Sequence, residues 1–455
     1  MTDWTPAQID SGKPRYLAIA DAIARDIEGG RLAGGDRLPP QRKLAAHLGI
    51  DFTTVSRAYA EAQARGLVDS HVGRGTFVAA GAAGAEPDPE RQHAEDLSMN
   101  MPPEPVDPEL VGRMKGGLDY VSANLVDLLR YQAPTGTERD RTAASSWLSM
   151  RGMVPSLDRI AVTPGAHATM AAILSIITKP GDVVLCESIT YPGLRNIAAR
   201  FGVTLVGVAM DKDGVTPEAL EEAIARHAPR ALYLNPTLQN PTTLTIPEDR
   251  RLELARVLRQ ARLRLIEDDA YGFIPARAPA PIALSAPDLT WHIGGLAKCI
   301  GAGLRLAFTI APSSRCALRL AQAIRALAVM PSPLSMALTT QWIEDGTADS
   351  IRRFIRAESA ARQAIAREAL EGMDYRSAEN AFNIWLTLPE GTGRADIVAR
   401  MTGRKLGLMP SDAFTVDGEP GENLRVCLGG SVTREALRDN LYFLGNAVAP
   451  NAFMG

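Results

Sequence analysis

Cysteine is scarce. Cys186, Cys299, Cys316 and Cys427 stand far apart with no Cys-x-x-Cys spacing, which excludes a disulfide framework and a cysteine zinc site and leaves inert core thiols in a reducing compartment. No metal is expected. Charge of one sign is also lacking: 49 Lys and Arg face 52 Asp and Glu, for a net charge of −3. Together with 46% hydrophobic residues, this balance describes an ordinary globular chain and excludes a disordered protein, a coiled coil and a collagen. Long apolar runs are missing as well. The longest, near Met170 to Thr178, falls far short of the roughly 18 residues that span a bilayer, and Asp3 and Asp10 argue against a signal peptide. The expected location is the cytoplasm, with no membrane partner.

At 455 residues the chain is too long for one domain of about 150. Composition shifts abruptly over residues 79–97, AAGAAGAEPDPERQHAEDL, a stretch rich in Ala, Gly, Pro and charge and without an aromatic side chain. This reads as a flexible linker with a reach of roughly 25 Å. It separates a unit at 1–78 from a larger one at 98–455.

In the first unit, Ile19, Ile23 and Ile27 recur four apart beside Tyr16 and Ala20, the mark of an amphipathic helix. Farther on, Ala45, Gly49 and Val55 carry helix-turn-helix spacing: a small residue at the crossing, a glycine for the left-handed turn, and a branched residue locking the second helix. On that second helix Val55, Tyr59 and Ala62 share one face, so Thr53 and Arg57 point the other way, toward a major groove. LVDSHVGRGTFV then reads as strand, tight turn and strand, the wing of a winged helix. Leu-Pro-Pro-x-Arg-x-Leu-Ala at 38–45, Thr-Val at 54–55, Ala-Tyr at 58–59 and Gly-x-Gly-Thr-Phe-Val at 73–78 resemble the GntR-type winged-helix DNA-binding domain. The resemblance implies contacts to double-stranded promoter DNA from Arg42, Thr53, Thr54, Arg57, His71, Gly73 and Arg74. Two departures stand out, Phe52 and Ser56 where that family commonly has arginines. Residues 1–78 carry a net charge of only +1, which predicts few phosphate contacts and a shallow salt dependence.

The larger unit alternates short β-rich runs (159–163, 182–187, 204–210, 231–235, 264–268, 291–295 and 305–310) with helix-length segments. That pattern predicts an α/β architecture: a mainly parallel seven-stranded sheet with helices on both faces, plus a small C-terminal α+β subdomain. Ligand chemistry is then expected at the carboxyl ends of the strands, and the reactive residue types fall there. Lys298 follows one strand amid glycines, with Arg305 seven residues on, the setting for an amine that forms a Schiff base near a phosphate anchor. Asp268 and Tyr271 close a second strand and Asn240 a third, as a pyridine cofactor requires for its ring nitrogen and 3-oxygen. Thr163-Pro-Gly165-Ala166-His167 ends a strand and opens a helix, a phosphate cradle.

These motifs resemble the fold type I pyridoxal 5'-phosphate aminotransferases over residues 98–455. The resemblance implies Lys298 as the Schiff-base lysine, Asp268 on the ring nitrogen, Tyr271 and Asn240 on the 3-oxygen, Arg305 on the phosphate and Tyr191 stacked on the ring. It also implies Tyr131 reaching the cofactor of a partner subunit and Arg425 gripping a ligand α-carboxylate. Gly295 and Ala297 replace hydroxyls common in the phosphate cup, Ala166 a serine and Thr243 a glycine.

Winged helix, linker and aminotransferase-like domain in that order resemble the MocR subfamily of regulators. This implies a head-to-tail homodimer that senses the cofactor, or an amine or amino acid effector, through aldimine exchange at Lys298. Two alternatives stay open: an aminotransferase acting on an α-amino acid with a dispensable N-terminal unit, and a sensor of the cofactor alone.

Overall fold

The computed structural model describes residues 4–6, 12–71, 75–79 and 96–449. Gly73 and Arg74, and all but the ends of the 79–97 linker, lie outside the described residues, and His71 is described in its backbone only. The chain divides into two compact units, Met1–Ala94 and Glu95–Gly455.

In the first unit, α1 (Arg15–Glu28) lays its isoleucine stripe against α2 (Gln41–Leu48) and α3 (Phe52–Ala64). Ile19, Ile23 and Ile27 are at most 2% exposed, each contributing about 1.5–3 kcal/mol of burial. Gly49 ends α2 at φ 62°, the left-handed turn its sequence position requires, and Asp51 caps α3. The wing follows, β1 (Val68–His71) pairing antiparallel with β2 (Gly75–Val78), Val68 opposite Val78. Trp4 joins this core and donates its indole N–H to Asp26, a contact that no periodicity announces.

The second unit is built on seven strands: β3 (Ile160–Thr163), β4 (Val183–Glu187), β5 (Thr204–Val208), β8 (Ala231–Leu234), β9 (Arg264–Asp268), β10 (Thr290–Gly295) and β11 (Ala307–Ile310), with a hairpin of β6 (Met210–Asp211) and β7 (Gly214–Val215) beside them. Their order is β3-β11-β10-β9-β8-β4-β5, all parallel save β11, which runs antiparallel to both neighbours. The strands are apolar almost throughout because both faces are covered. Val184, Tyr233 and Ile266 enter one core, while Leu185, Leu232 and Leu265, one residue away along the same strands, enter another. A second sheet, β12-β13-β15-β14, is antiparallel: β12 (Tyr375–Arg376), β13 (Asn383–Thr387), β14 (Leu408–Pro410) and β15 (Asn423–Cys427). It shares a core with the helices Thr347–Ala369 and Arg434–Val448. Cys186, Cys299 and Cys427 are buried, and burial pushes the Cys299 thiol up to about 12. Among the described residues no helix is long and apolar enough to cross a membrane.

Candidate functional site

Because β3, β4, β8, β9 and β10 point the same way, the residues just past their carboxyl ends meet at one rim: Gly165, Tyr191, Asn235 and Asn240, Asp268 and Tyr271, and Lys298. They line a cavity of about 410 Å³, together with Ser98, Asn100, Ala166, His167, Arg305 and Arg425.

Asp268 ends β9 and Asp269 follows it, and packing sorts the two. Asp269 accepts from Arg151 Nε at 2.9 Å and lies 3.4 Å from His292 Nε2, all three side chains being buried. Burial would raise its carboxyl, but the Arg151 guanidinium beside it holds it well below the usual range. Asp268 instead lines the cavity. Its Oδ2 accepts from the Tyr233 hydroxyl at 2.9 Å, while its buried Oδ1 has no partner among the described residues. Burial pushes this carboxyl up to about 6, against the Tyr233 hydrogen bond. Asn235 ties the neighbouring strand ends together, donating from Nδ2 to the Asp268 carbonyl at 2.6 Å and accepting from the Asn240 N–H at 2.9 Å.

Lys298 reaches into the same space, its Nζ donating to the Asn100 carbonyl at 2.6 Å. Burial, then the nearby Arg425 charge, lowers its amine to about 8. The Tyr271 hydroxyl accepts from Asn100 Nδ2 at 3.2 Å, and burial raises the phenol. Tyr191 precedes the helix Pro192–Arg200 and folds over Gly193, where a Cβ would fall 2.3 Å from its ring and push it out of place. His167 stands edge-on to Tyr191, ring centroids 6.5 Å apart, its pKa lowered by burial and by Arg305.

The helix Ala166–Ile177 opens at Gly165 (φ 85°) with no side-chain cap, leaving its first-turn N–H groups available to an anion. Arg305 approaches so closely that a Cβ on Gly165 would lie 3.3 Å from its Nη2, and among the described residues its guanidinium makes no hydrogen bond. Gly295 and Ala297 line this end without a hydroxyl, so anion binding falls to Arg305 and the backbone. Thr243 holds φ 60° where glycine would be at ease. Arg425, on β15 between Trp385 and Met409, enters from the small sheet. It donates to Asn240 Oδ1 at 3.3 Å and to the Ser98 carbonyl at 2.5 Å, and lies 5.4 Å over the Phe414 ring. Tyr131 lies outside the cavity and is 83% exposed.

The set fits pyridoxal phosphate through groups left unsatisfied among the described residues: a carboxylate oxygen for the ring nitrogen, an amine lowered toward neutrality for the aldehyde, and an uncapped helix start beside the Arg305 guanidinium for the phosphate. Sequence reasoning missed Asn100, Tyr233 and the bracing part of Asn235. Asn100 has no spacing signal, since its partners lie 171 and 198 residues away.

In the winged helix, Thr53 is exposed and Thr54 half-buried. Both hydroxyls donate to Asp51, as do both backbone N–H groups, which holds that carboxyl down at about 2. With both hydroxyl protons committed to Asp51, the two threonine oxygens can serve a further partner only as acceptors. The guanidinium of Arg57 lies 4.4 Å over the Tyr16 ring on α1 and that of Arg42 5.8 Å over Phe52, so both are braced by aromatic faces while remaining exposed.

Comparison with known proteins agrees with both units. Residues 15–78 match the gntR family of bacterial regulatory proteins and residues 97–441 match aminotransferase class I and II. An uncharacterized HTH-type transcriptional regulator of Bacillus subtilis, YdeF, is 28% identical over 97% of this chain and 96% of its own length. The probable rhizopine catabolism regulatory protein MocR of Rhizobium meliloti is 26% identical over 86% of this chain and 83% of its own. Among solved structures, LysN, an α-aminoadipate aminotransferase of Thermus thermophilus, superposes with a TM-score of 0.69 at 23% identity over 77% of this chain and 91% of its own, a likeness of fold. The chain thus belongs to the class I and II aminotransferase family and, with a gntR-family DNA-binding domain in front of its pyridoxal phosphate-binding domain, has the composition of the MocR subfamily of transcriptional regulators.

Proposed function

We propose that the chain controls transcription by sensing an amine or amino acid in the aminotransferase-like domain and altering the DNA affinity of the winged helix. The observation that carries this reading is a single cavity lined by Lys298, Asp268 and Arg425, in the same chain as a gntR-family domain. When bound, pyridoxal phosphate supplies an aldehyde that takes up primary amines and a ring that withdraws electrons. Lys298 would hold the aldehyde carbon, Asp268 Oδ1 a proton at the ring nitrogen, Tyr271 and Asn240 the 3-oxygen, Tyr191 the ring face, and Arg305 with the amides of Gly165, Ala166 and His167 the phosphate. Arg425 would grip an effector carboxylate. A head-to-tail homodimer gives the exposed Tyr131 a role at the partner's cofactor. Promoter contacts fall to Arg42, Thr53, Thr54, Arg57, His71, Gly73 and Arg74.

A gel shift on the gene's own upstream DNA, with and without pyridoxal phosphate and a panel of amino acids, tests the reading. A tenfold change in DNA affinity needs about 1.4 kcal/mol of coupling, and Lys298→Ala should abolish it. A response to cofactor alone would leave a cofactor-level sensor. Footprinting should show two half-sites that Arg57→Ala weakens; unchanged protection removes Arg57 from the interface. The second reading, turnover, draws on the lowered Lys298 amine, suited to accept a proton at neutral pH. Rapid steady-state transamination would favour it.

A further inference from the structure

Arg425 presents an imbalance. Its side chain is 2% exposed, yet no carboxylate pairs with it among the described residues; its partners are two neutral oxygens, the Ser98 carbonyl and Asn240 Oδ1, and its Nε has none. A buried guanidinium without a counter-charge is costly, and it favours an anion over a peptide carbonyl. The Ser98 carbonyl therefore holds the place of a weaker ligand.

The same short segment touches the other reactive group. Two residues on, the Asn100 carbonyl accepts from Lys298 Nζ, while Asn100 Nδ2 donates to the Tyr271 hydroxyl and, at 3.0 Å, to Asn383 Oδ1. Asn100 is itself 2% exposed, and its Oδ1 has no partner among the described residues. The groove is shaped for this strand of chain: a Cβ on Gly407 would fall 2.4 Å from the Leu97 carbonyl oxygen, and one on Gly429 only 1.7 Å from that of Met101. Just downstream the chain is pinned, the Gly430 N–H donating to the Pro102 carbonyl at 3.1 Å. Just upstream, in sequence, comes the linker to the winged helix.

We propose that Ser98–Asn100 is a built-in occupant of the ligand site, a strap held by Arg425 and Lys298, which an incoming α-carboxylate displaces from Arg425 so that occupancy is passed to the start of the linker. This rests on the cofactor reading above. It assigns Asn100 as a positioning residue and makes the carboxylate, rather than the amine, the group that releases the strap.

Two probes separate the contributions: pyridoxamine phosphate, which has no carboxylate, and N-(5'-phosphopyridoxyl)-L-leucine, which adds one. Hydrogen exchange of the full-length protein would be followed in the peptide spanning residues 97–103, after calorimetry shows each probe bound. The Ser98 and Met99 amides, which donate to Asp96, report the turn that holds the strap. The leucine adduct should speed exchange there roughly tenfold over pyridoxamine phosphate, the effect of losing one charge-assisted hydrogen bond, and Arg425→Met should erase the difference. Binding of both probes with the same exchange would overturn the strap alone. Binding of neither would overturn the cofactor reading and the strap with it.

Discussion

The amine of Lys298 offers the sharpest test of the site's electrostatics. An ordinary lysine ionises near 10.4, so at pH 7 roughly one amine in 2,500 is neutral. Burial and the neighbouring Arg425 charge bring this one to about 8, which leaves about one in ten neutral at the same pH. Only the neutral amine attacks an aldehyde, so capture of pyridoxal phosphate by the cofactor-free protein should quicken about tenfold from pH 6 to 7 and level off above 8. Stopped-flow absorbance across pH 6 to 10 measures this directly. A rate that keeps climbing through pH 9.5 would refute the reasoning, since it would mean that Lys298 behaves as a solvated lysine. Removing the nearby cation in Arg425→Met should move the plateau to higher pH, and Arg425→Lys should leave it near the wild-type position. The same shift has a stability consequence. A lysine with a depressed native pKa stabilises nothing by charging, so the cofactor-free protein should lose stability as pH falls from about 10.4 toward 8 and lose no more from this group below that.

Three further outcomes follow from particular contacts. Tyr233→Phe removes the hydrogen bond to Asp268, so the carboxyl should rise further above 6 and cofactor affinity should fall about tenfold in a fluorescence titration; unchanged affinity would show that Tyr233 only packs. Arg151→Leu strips Asp269 of its buried cation and should cost about 3–5 kcal/mol in denaturant unfolding, with Asp269→Asn restoring part of it; a loss under 1 kcal/mol would contradict the assignment. Thr243→Gly relieves a branched residue at φ 60° whose buried hydroxyl has no partner among the described residues, and calorimetry should show a gain of about 1 kcal/mol, a decrease arguing that Thr243 is held in place by something else.

Much of this architecture is local and therefore written along the chain. Ala45, Gly49 and Val55 announce the helix-turn-helix because a left-handed turn and a close helix crossing each restrict which residues fit within a few positions. The parallel sheet is legible because strands covered on both faces must be apolar throughout, and Asp268, Asn240 and Lys298 are legible because parallel strands deliver their carboxyl ends to one rim. Tertiary packing decided the rest. Adjacent Asp268 and Asp269 are equivalent as letters; only the placement of Arg151 and His292 makes one a structural ion and leaves the other facing the cavity. Arg57 points away from the helix core as its period requires, but that its guanidinium would stack on Tyr16 depended on where α1 crosses. The strap at Ser98–Asn100 is the clearest case: it meets Arg425 and Lys298 across 327 and 198 residues of chain, and spacing carries no information over such separations, because only the folded backbone brings those groups within reach of a hydrogen bond.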